Sequence, residues 1–251
     1  MQKLTEKFDH IFIDRSAKDS TLAKRATLLF PADKISVVDQ RPFSESSGEL
    51  SALEFNRSKR HIFITPFKGQ FFKRCPGSRP GLACCNYYVL NWGLQCEMNC
   101  SYCYLQSFIN TPVLTLYSNI DQAVQELKAL HQQAHAQNLR IGTGETVDSL
   151  SMDDLTDHAR LLITEFQQFP RWTLEFKTKS DRVQNFLDVP HAGNVIVSWS
   201  VNPQYIVERE EFGTASLDQR LTAAQACQER GFKIAFHIDP MIWHPQWRQS
   251  Y

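Results

Sequence analysis

The stretch Tyr87-Tyr88-Val89-Leu90-Asn91-Trp92-Gly93-Leu94-Gln95-Cys96-Glu97-Met98-Asn99-Cys100-Ser101-Tyr102-Cys103 joins an aromatic-rich apolar run to a loop with three cysteines. Residues 87–92 have the composition of a strand. Cys96, Cys100 and Cys103 follow in a C-x3-C-x2-C spacing. Thiolates this close together can wrap one face of a compact metal centre, and they select iron–sulfur clusters or zinc. A structural zinc site takes four ligands. No fourth Cys or His follows at finger-like spacing, so zinc would need a distant histidine such as His61 or His237. Three thiolates alone fit a 4Fe–4S cluster with one iron left open to a substrate or cofactor.

Parallel β/α folds bind ligands at the carboxyl ends of their strands, where this loop falls. The chain beyond it keeps a strand–helix rhythm. Val124, Leu127, Leu130 and Ala134 mark a helix over residues 120–136, and a second strand follows at 139–142. Next come a helix over 153–166, a strand at 172–176 and a short helix at 181–187. A strand at 195–199, a helix over 217–228 and a fifth strand at 233–237 complete the series. This alternation predicts parallel strands with helical crossovers, either an open doubly wound sheet or a partial barrel with an open edge.

Upstream, residues 1–72 read as a small N-terminal α/β lobe. Its strands fall at 11–13, 34–38 and 61–65, its helix at 20–29, and residues 41–56 form a loop or weak helix. Residues 67–83 are rich in Gly, Pro and basic side chains and read as a connector, so the core is assigned to 73–251.

Composition sets the limits. The chain has 251 residues, with 27 Lys plus Arg against 27 Asp plus Glu, so no global field holds nucleic acid or an anionic membrane. No apolar run reaches the roughly 18–20 residues of a bilayer span. Residues 1–7 lack the apolar region of a signal peptide, and a cytoplasmic location is expected. Cysteines number seven, with six of them between Cys75 and Cys103, which is no secreted disulfide scaffold.

The cysteine loop, with Tyr102 before its last cysteine, resembles the signature of the radical S-adenosylmethionine superfamily. The resemblance implies a partial (β/α) barrel, a 4Fe–4S cluster on Cys96, Cys100 and Cys103, and S-adenosylmethionine chelated by the open iron. An electron from the cluster then cleaves that cofactor to a 5′-deoxyadenosyl radical, chemistry that no side chain supplies. More of the chain is similar to the spore photoproduct lyase family. The similar text is Lys73-Arg74-Cys75-Pro76-Gly77-Ser78, Ala83-Cys84-Cys85-Asn86-Tyr87, Leu90-Asn91, Tyr102-Cys103-Tyr104-Leu105-Gln106, Asn110-Thr111-Pro112 and residues 236–244. That resemblance implies repair of a thymine dimer, 5-thyminyl-5,6-dihydrothymine, in DNA. It also implies damaged DNA as a partner, an electron donor such as flavodoxin or ferredoxin, and no membrane.

By position, the resemblance places Gly142, Gly144 and Glu145 at the amino group of S-adenosylmethionine; a turn with a solvated Glu is the plain alternative. It places Lys179, Ser200 and Asn202 near the methionyl carboxylate and ribose; an exposed basic pair and a loop serine is the other reading. Tyr102 and Tyr104 line the radical site or pass hydrogen atoms, or else pack in the core. The family's hydrogen-donating cysteine after strand two has no counterpart in residues 142–149. A radical enzyme with another substrate therefore stands as an alternative to the lyase, and a non-catalytic DNA-binding or interaction relative is a further one.

Other features carry double readings. His237 and Asp239 share a strand face and form either a substrate-facing pair or a buried structural histidine with a neighbour. Lys68, Lys73, Arg74 and Arg79 interleave with Phe67, Phe71 and Phe72, a mix suited to phosphate contact and base stacking or to a packed linker. Cys75 with Cys84 or Cys85 is a redox pair or a set of structural thiols, and Cys227 reads as core filling.

Overall fold

The computed structural model describes residues 3–42, 51–75, 77, 81, 86–109 and 111–251, so Arg79, Cys84, Cys85 and Asn110 lie outside the described residues. The described strands are β1 (His10–Asp14), β2 (Ile35–Val38), β3 (His61–Thr65), β4 (Phe72–Arg74), β5 (Tyr87–Leu90), β6 (Gly93–Leu94) and β7 (Asn99–Cys100). They continue with β8 (Leu114–Tyr117), β9 (Arg140–Gly142), β10 (Thr173–Thr178), β11 (Val195–Ser200), β12 (Glu211–Phe212) and β13 (Lys233–His237).

Two sheets dominate. The larger runs β13-β11-β10-β9-β5-β4. Its five strands β5, β9, β10, β11 and β13 are parallel and stand in chain order, each one step further round the sheet. That is the partial (β/α) barrel, with β13 as the open edge. The other sheet runs β2-β1-β3-β8-β6 and takes its last two strands from beyond residue 72. One apolar core runs from Leu4 to Phe232 beneath both sheets.

Local chemistry sets the element ends. Ser20 caps the helix Thr21–Leu29 through Ala23 N at 3.1 Å. Ser51 with Glu54 and Ser216 with Gln219 form capping boxes on the helices Ala52–Ser58 and Leu217–Glu229. The crossovers between β5, β9 and β10 use Ile120–Ala134 and the pair Asp153–Thr156 and His158–Phe166. The latter pair replaces the single helix expected over 153–166, because Asp157 takes a left-handed φ of 55° and breaks it.

Two further expectations need correction. No helix forms over 181–187: Ser180 Oγ accepts Arg182 N, and isolated turns at Val183–Phe186 and Phe186–Val189 bury single apolar side chains. The connector contains a strand, since β4 pairs antiparallel with β5 and so edges the barrel sheet. Its aromatics are packing rather than base-stacking surface: Phe71 is fully buried, and Phe67 stacks on Tyr117 with centroids 4.3 Å apart. The strand β8, unmarked in the periodicity reading, pairs parallel with β3.

His158 is buried edge-on against Trp92, with centroids 5.3 Å apart. Burial, then the charge of Arg25, drives its pKa down to about 3, so it stays neutral in the fold. The unfolded imidazole gains a proton below pH about 6.5, which favours unfolding. Stability supplied by His158 is thus complete above that pH and is lost as pH falls, by about 1.4 kcal/mol per unit. His158→Phe should flatten the stability–pH curve between pH 6.5 and 5, as read by urea titrations; an unchanged slope would place the acid sensitivity elsewhere.

Candidate active site

The cysteine loop is held by backbone before any ligand is considered. Within it β7 pairs antiparallel with β12, setting Cys100 opposite Glu211. Ser101 N donates to Glu210 O at 2.8 Å and Cys103 N to Cys100 O at 3.1 Å, while Gln106 Nε2 also donates to Cys100 O. Behind the loop lies a buried ion pair: Arg220 Nη2 meets Glu211 Oε2 at 2.6 Å, with both side chains fully shielded from solvent. Arg220 is further satisfied by Ala215 O, Ser200 O and Thr214 Oγ1 at 2.9, 2.8 and 2.7 Å. Burial pushes Glu211 up, but Arg220, with the Tyr102 and Asn202 hydrogen bonds, outweighs it and holds the carboxyl below its usual value.

All three cysteines line one cavity of about 350 Å³ at the carboxyl ends of the barrel strands. Gly144, Glu145, Lys179 and Ser200 line the same cavity, as do the rings of Tyr102 and Tyr104. The structure therefore gathers nine of the eleven sequence candidates. Gly142 and Asn202 stand apart. Gly142 packs against Tyr87, whose hydroxyl lies 1.7 Å from where a Cβ would sit. Asn202 spends its amide on Glu211 at 2.9 Å and on the Tyr251 hydroxyl at 2.7 Å. Gly142→Ala should cost about 1–3 kcal/mol by overpacking, with Tyr87→Phe recovering part of it in denaturant titrations; full stability in the single variant would deny the close approach.

The tyrosines divide. The Tyr102 hydroxyl donates to Glu211, and burial and that bond push its pKa far up. Lys179 Nζ sits 5.6 Å from the centroid of its ring. Tyr104 is 59% exposed, and its hydroxyl reaches Glu145 O at 3.5 Å. Tyr102 thus braces the loop, whereas Tyr104 presents a free face at the cavity.

Sequence reasoning missed Asp148. Its Oδ1 accepts from Leu150 N, Ser151 N and Thr178 Oγ1 at 3.0, 2.9 and 2.6 Å, and its Oδ2 from Lys179 N at 2.9 Å. The carboxylate ties the loop after β9 to the end of β10. Lys177, on the same cavity wall, pairs with Asp239 at 3.2 Å. An Asp followed by Ser-Leu-Ser, an Asx-turn pattern, was the available signal.

His237 and Asp239 are not a pair. His237 Nε2 lies 3.3 Å from Glu175 Oε1, in a polar layer with Arg140, Tyr87 and Ser198, while Asp239 belongs to the cavity. Burial pushes Glu175 up, and Arg140 and His237 more than reverse it.

The donor set fits an iron–sulfur cluster held by three cysteines. Among the described residues no three His, Cys, Asp or Glu side chains gather as a single-ion chelate. His237 is bound to Glu175, and His61 packs on Phe12 in the other sheet, so neither completes a zinc site. Burial, then Glu97 and Asp148, pushes the Cys96 thiol well up, with Lys59 opposing. Burial raises Cys100 to about 11, with Lys179 opposing. Beside the thiols, Lys177, Lys179, Glu145 and Ser200 give polar room for a charged ligand.

A thiol-lined cavity at the strand ends of an incomplete parallel β/α barrel defines the class of protein. The profile of the family described as spore photoproduct lyase matches residues 46–251, and the chain belongs to that family. It is 28% identical over 165 residues to a spore photoproduct lyase of Bacillus subtilis (strain 168), covering 65% of this chain and 48% of the relative. With one from Geobacillus sp. (strain Y412MC61) the identity is 30% over the same shares. The chain spans about half the length of the curated relatives it matches. A solved spore photoproduct lyase mutant with bound AdoMet and dinucleoside spore photoproduct superposes with a TM-score of 0.83 at 24% identity, over 97% of this chain and 71% of that one. A further structure, complexed with dinucleoside spore photoproduct, also gives 0.83, at 23% identity. These likenesses establish the fold. Among the described residues no helix is long and apolar enough to cross a membrane.

Proposed function

We propose that the chain is a radical S-adenosylmethionine enzyme of the spore photoproduct lyase type, acting on a thymine photoproduct in DNA. One observation carries the reading: Cys96, Cys100 and Cys103 share a single cavity with Gly144, Glu145, Lys179 and Ser200. When bound, a 4Fe–4S cluster and S-adenosylmethionine supply a one-electron cleavage that yields a 5′-deoxyadenosyl radical. The three thiolates hold the cluster. Lys177 and Lys179 offer cationic donors to a carboxylate, and Glu145 offers an acceptor to an amino group. Tyr102, fixed on Glu211, positions the loop, and Tyr104 offers its hydroxyl hydrogen at the cavity mouth. A cluster held there would take its electron from an external one-electron protein such as flavodoxin or ferredoxin.

A second reading rests on the cavity wall. Among its described lining residues the thiols are the three cluster candidates alone, and residues 142–149 contribute none. This favours a radical enzyme of the same fold with another substrate. Reconstituted protein with S-adenosylmethionine and dithionite should release 5′-deoxyadenosine above a Cys100→Ala control. Conversion of dinucleoside spore photoproduct to its two thymidines then selects the first reading, and release without conversion selects the second. No release would refute both.

A further inference from the structure

Lysines are almost never fully buried unless paired. Lys59 is 4% exposed. It follows the helix Ala52–Ser58, and its Nζ donates to Met98 O, in the middle of the cysteine loop between Cys96 and Cys100. The ring of Phe55 lies 5.9 Å from that nitrogen. One carbonyl and one ring face do not offset the desolvation of an ammonium ion. The buried carboxylate of Glu97 is only partly satisfied: its Oε1 lies 3.5 Å from Lys7 Nζ without a hydrogen bond, and its Oε2 accepts from Ser151 Oγ at 2.9 Å. Lys59 thus carries its charge into the cysteine loop, with Glu97 and the three thiols around it. Burial pulls its pKa down, and Cys96, Glu97, Cys103 and Cys100 all pull it back.

We propose that Lys59 is the buried counter-charge of the three-cysteine centre and raises the reduction potential of a cluster held there. The inference rests on the cluster reading above. Cluster potentials follow net charge, hydrogen bonding and exposure. A fixed positive charge in a low-dielectric wall favours the state that has gained an electron. The cation comes from the N-terminal part of the chain, so the lobe contributes to the centre without supplying a ligand.

The test is EPR-monitored potentiometry of anaerobically reconstituted wild type, Lys59→Met and Lys59→Arg, with dithionite as reductant and circular dichroism as the check of folding. Lys59→Met should lower the midpoint so that the reduced-to-oxidised ratio at a fixed potential falls at least about tenfold, about 59 mV for a one-electron couple. Lys59→Arg should stay near wild type. A folded Lys59→Met that loads no iron while Lys59→Arg loads it also supports the counter-charge. Should Lys59→Met not fold, Lys59→Gln is judged by the same criteria. An unchanged midpoint in the neutral variant overturns this inference alone, whereas wild-type protein that binds no cluster overturns the cluster reading as well.

Discussion

Cys100→Ala is expected to abolish iron and sulfide incorporation while leaving the chain folded. Cys100 is buried in β7 opposite Glu211, and its backbone carries the bonds that shape the loop, through Cys103 N and Gln106. Alanine keeps those backbone groups and removes only the sulfur. A buried thiol otherwise behaves as a small apolar group, so the cost to stability is about 1 kcal/mol, comparable to one buried methylene. Two thiolates would leave the cluster one ligand short of the three that the cavity lining offers. Iron and sulfide analysis beside a thermal melt reads both halves of the prediction. Full iron loading in the variant would mean that Cys100 is not a ligand. Loss of the melt would mean that the residue serves the fold.

Arg220→Met should destabilise the fold by about 3–5 kcal/mol, the cost of breaking a buried ion pair from one side. The carboxylate of Glu211 would keep Tyr102 and Asn202 but lose its only ion-pair partner in the described residues, and Ser200 O and Ala215 O would lose donors. The pH dependence identifies the cause. In the native protein Glu211 is held below its usual value, so its contribution is present above pH about 4.3 and fades as pH falls through the folded value. Without Arg220, burial prevails and the same carboxyl prefers its proton. The stability gap between variant and wild type should therefore narrow from pH 7 to pH 4.5 in urea titrations. Glu211→Gln in the Arg220→Met background should recover part of the loss at pH 7. A gap independent of pH would assign the cost to packing instead.

The parallel strands were legible because each is a short apolar run with its own punctuation, and all five are present as β5, β9, β10, β11 and β13; their standing in chain order, which the sequence left open between a doubly wound sheet and a partial barrel, comes from the pairing. What escaped were elements decided by tertiary contact. Leu114–Tyr117 is buried on both faces, and pairing with β3 on one side and β6 on the other makes it a strand. The antiparallel strand β4 lies in text that composition marks as a connector, fixed there by pairing with β5 and by Glu126 accepting from Phe71 N and Phe72 N. Residues 181–187 have helical spacing at Val183 and Phe186, but side chains and turns claim their backbone instead.

The site divides in the same way. The cysteines were readable because their spacing is local. Residues brought in from afar were not: Asp148 acts through the Thr178 hydroxyl and the Lys179 amide at the end of β10, Glu211 reaches Tyr102 across 109 residues, and Lys59 comes from the opposite sheet's part of the chain. Asn202 and Gly142 were assigned by position along their strands, and the fold turns both toward partners within the protein.

The central claim is that the cysteine cavity holds a cluster with an iron open to S-adenosylmethionine. Anaerobic iron and sulfide analysis, with EPR of the reduced protein before and after adding S-adenosylmethionine, tests it most directly. About four irons per chain and a signal that shifts on addition are expected. One zinc and no iron after anaerobic reconstitution, or a cluster spectrum indifferent to S-adenosylmethionine, would contradict it.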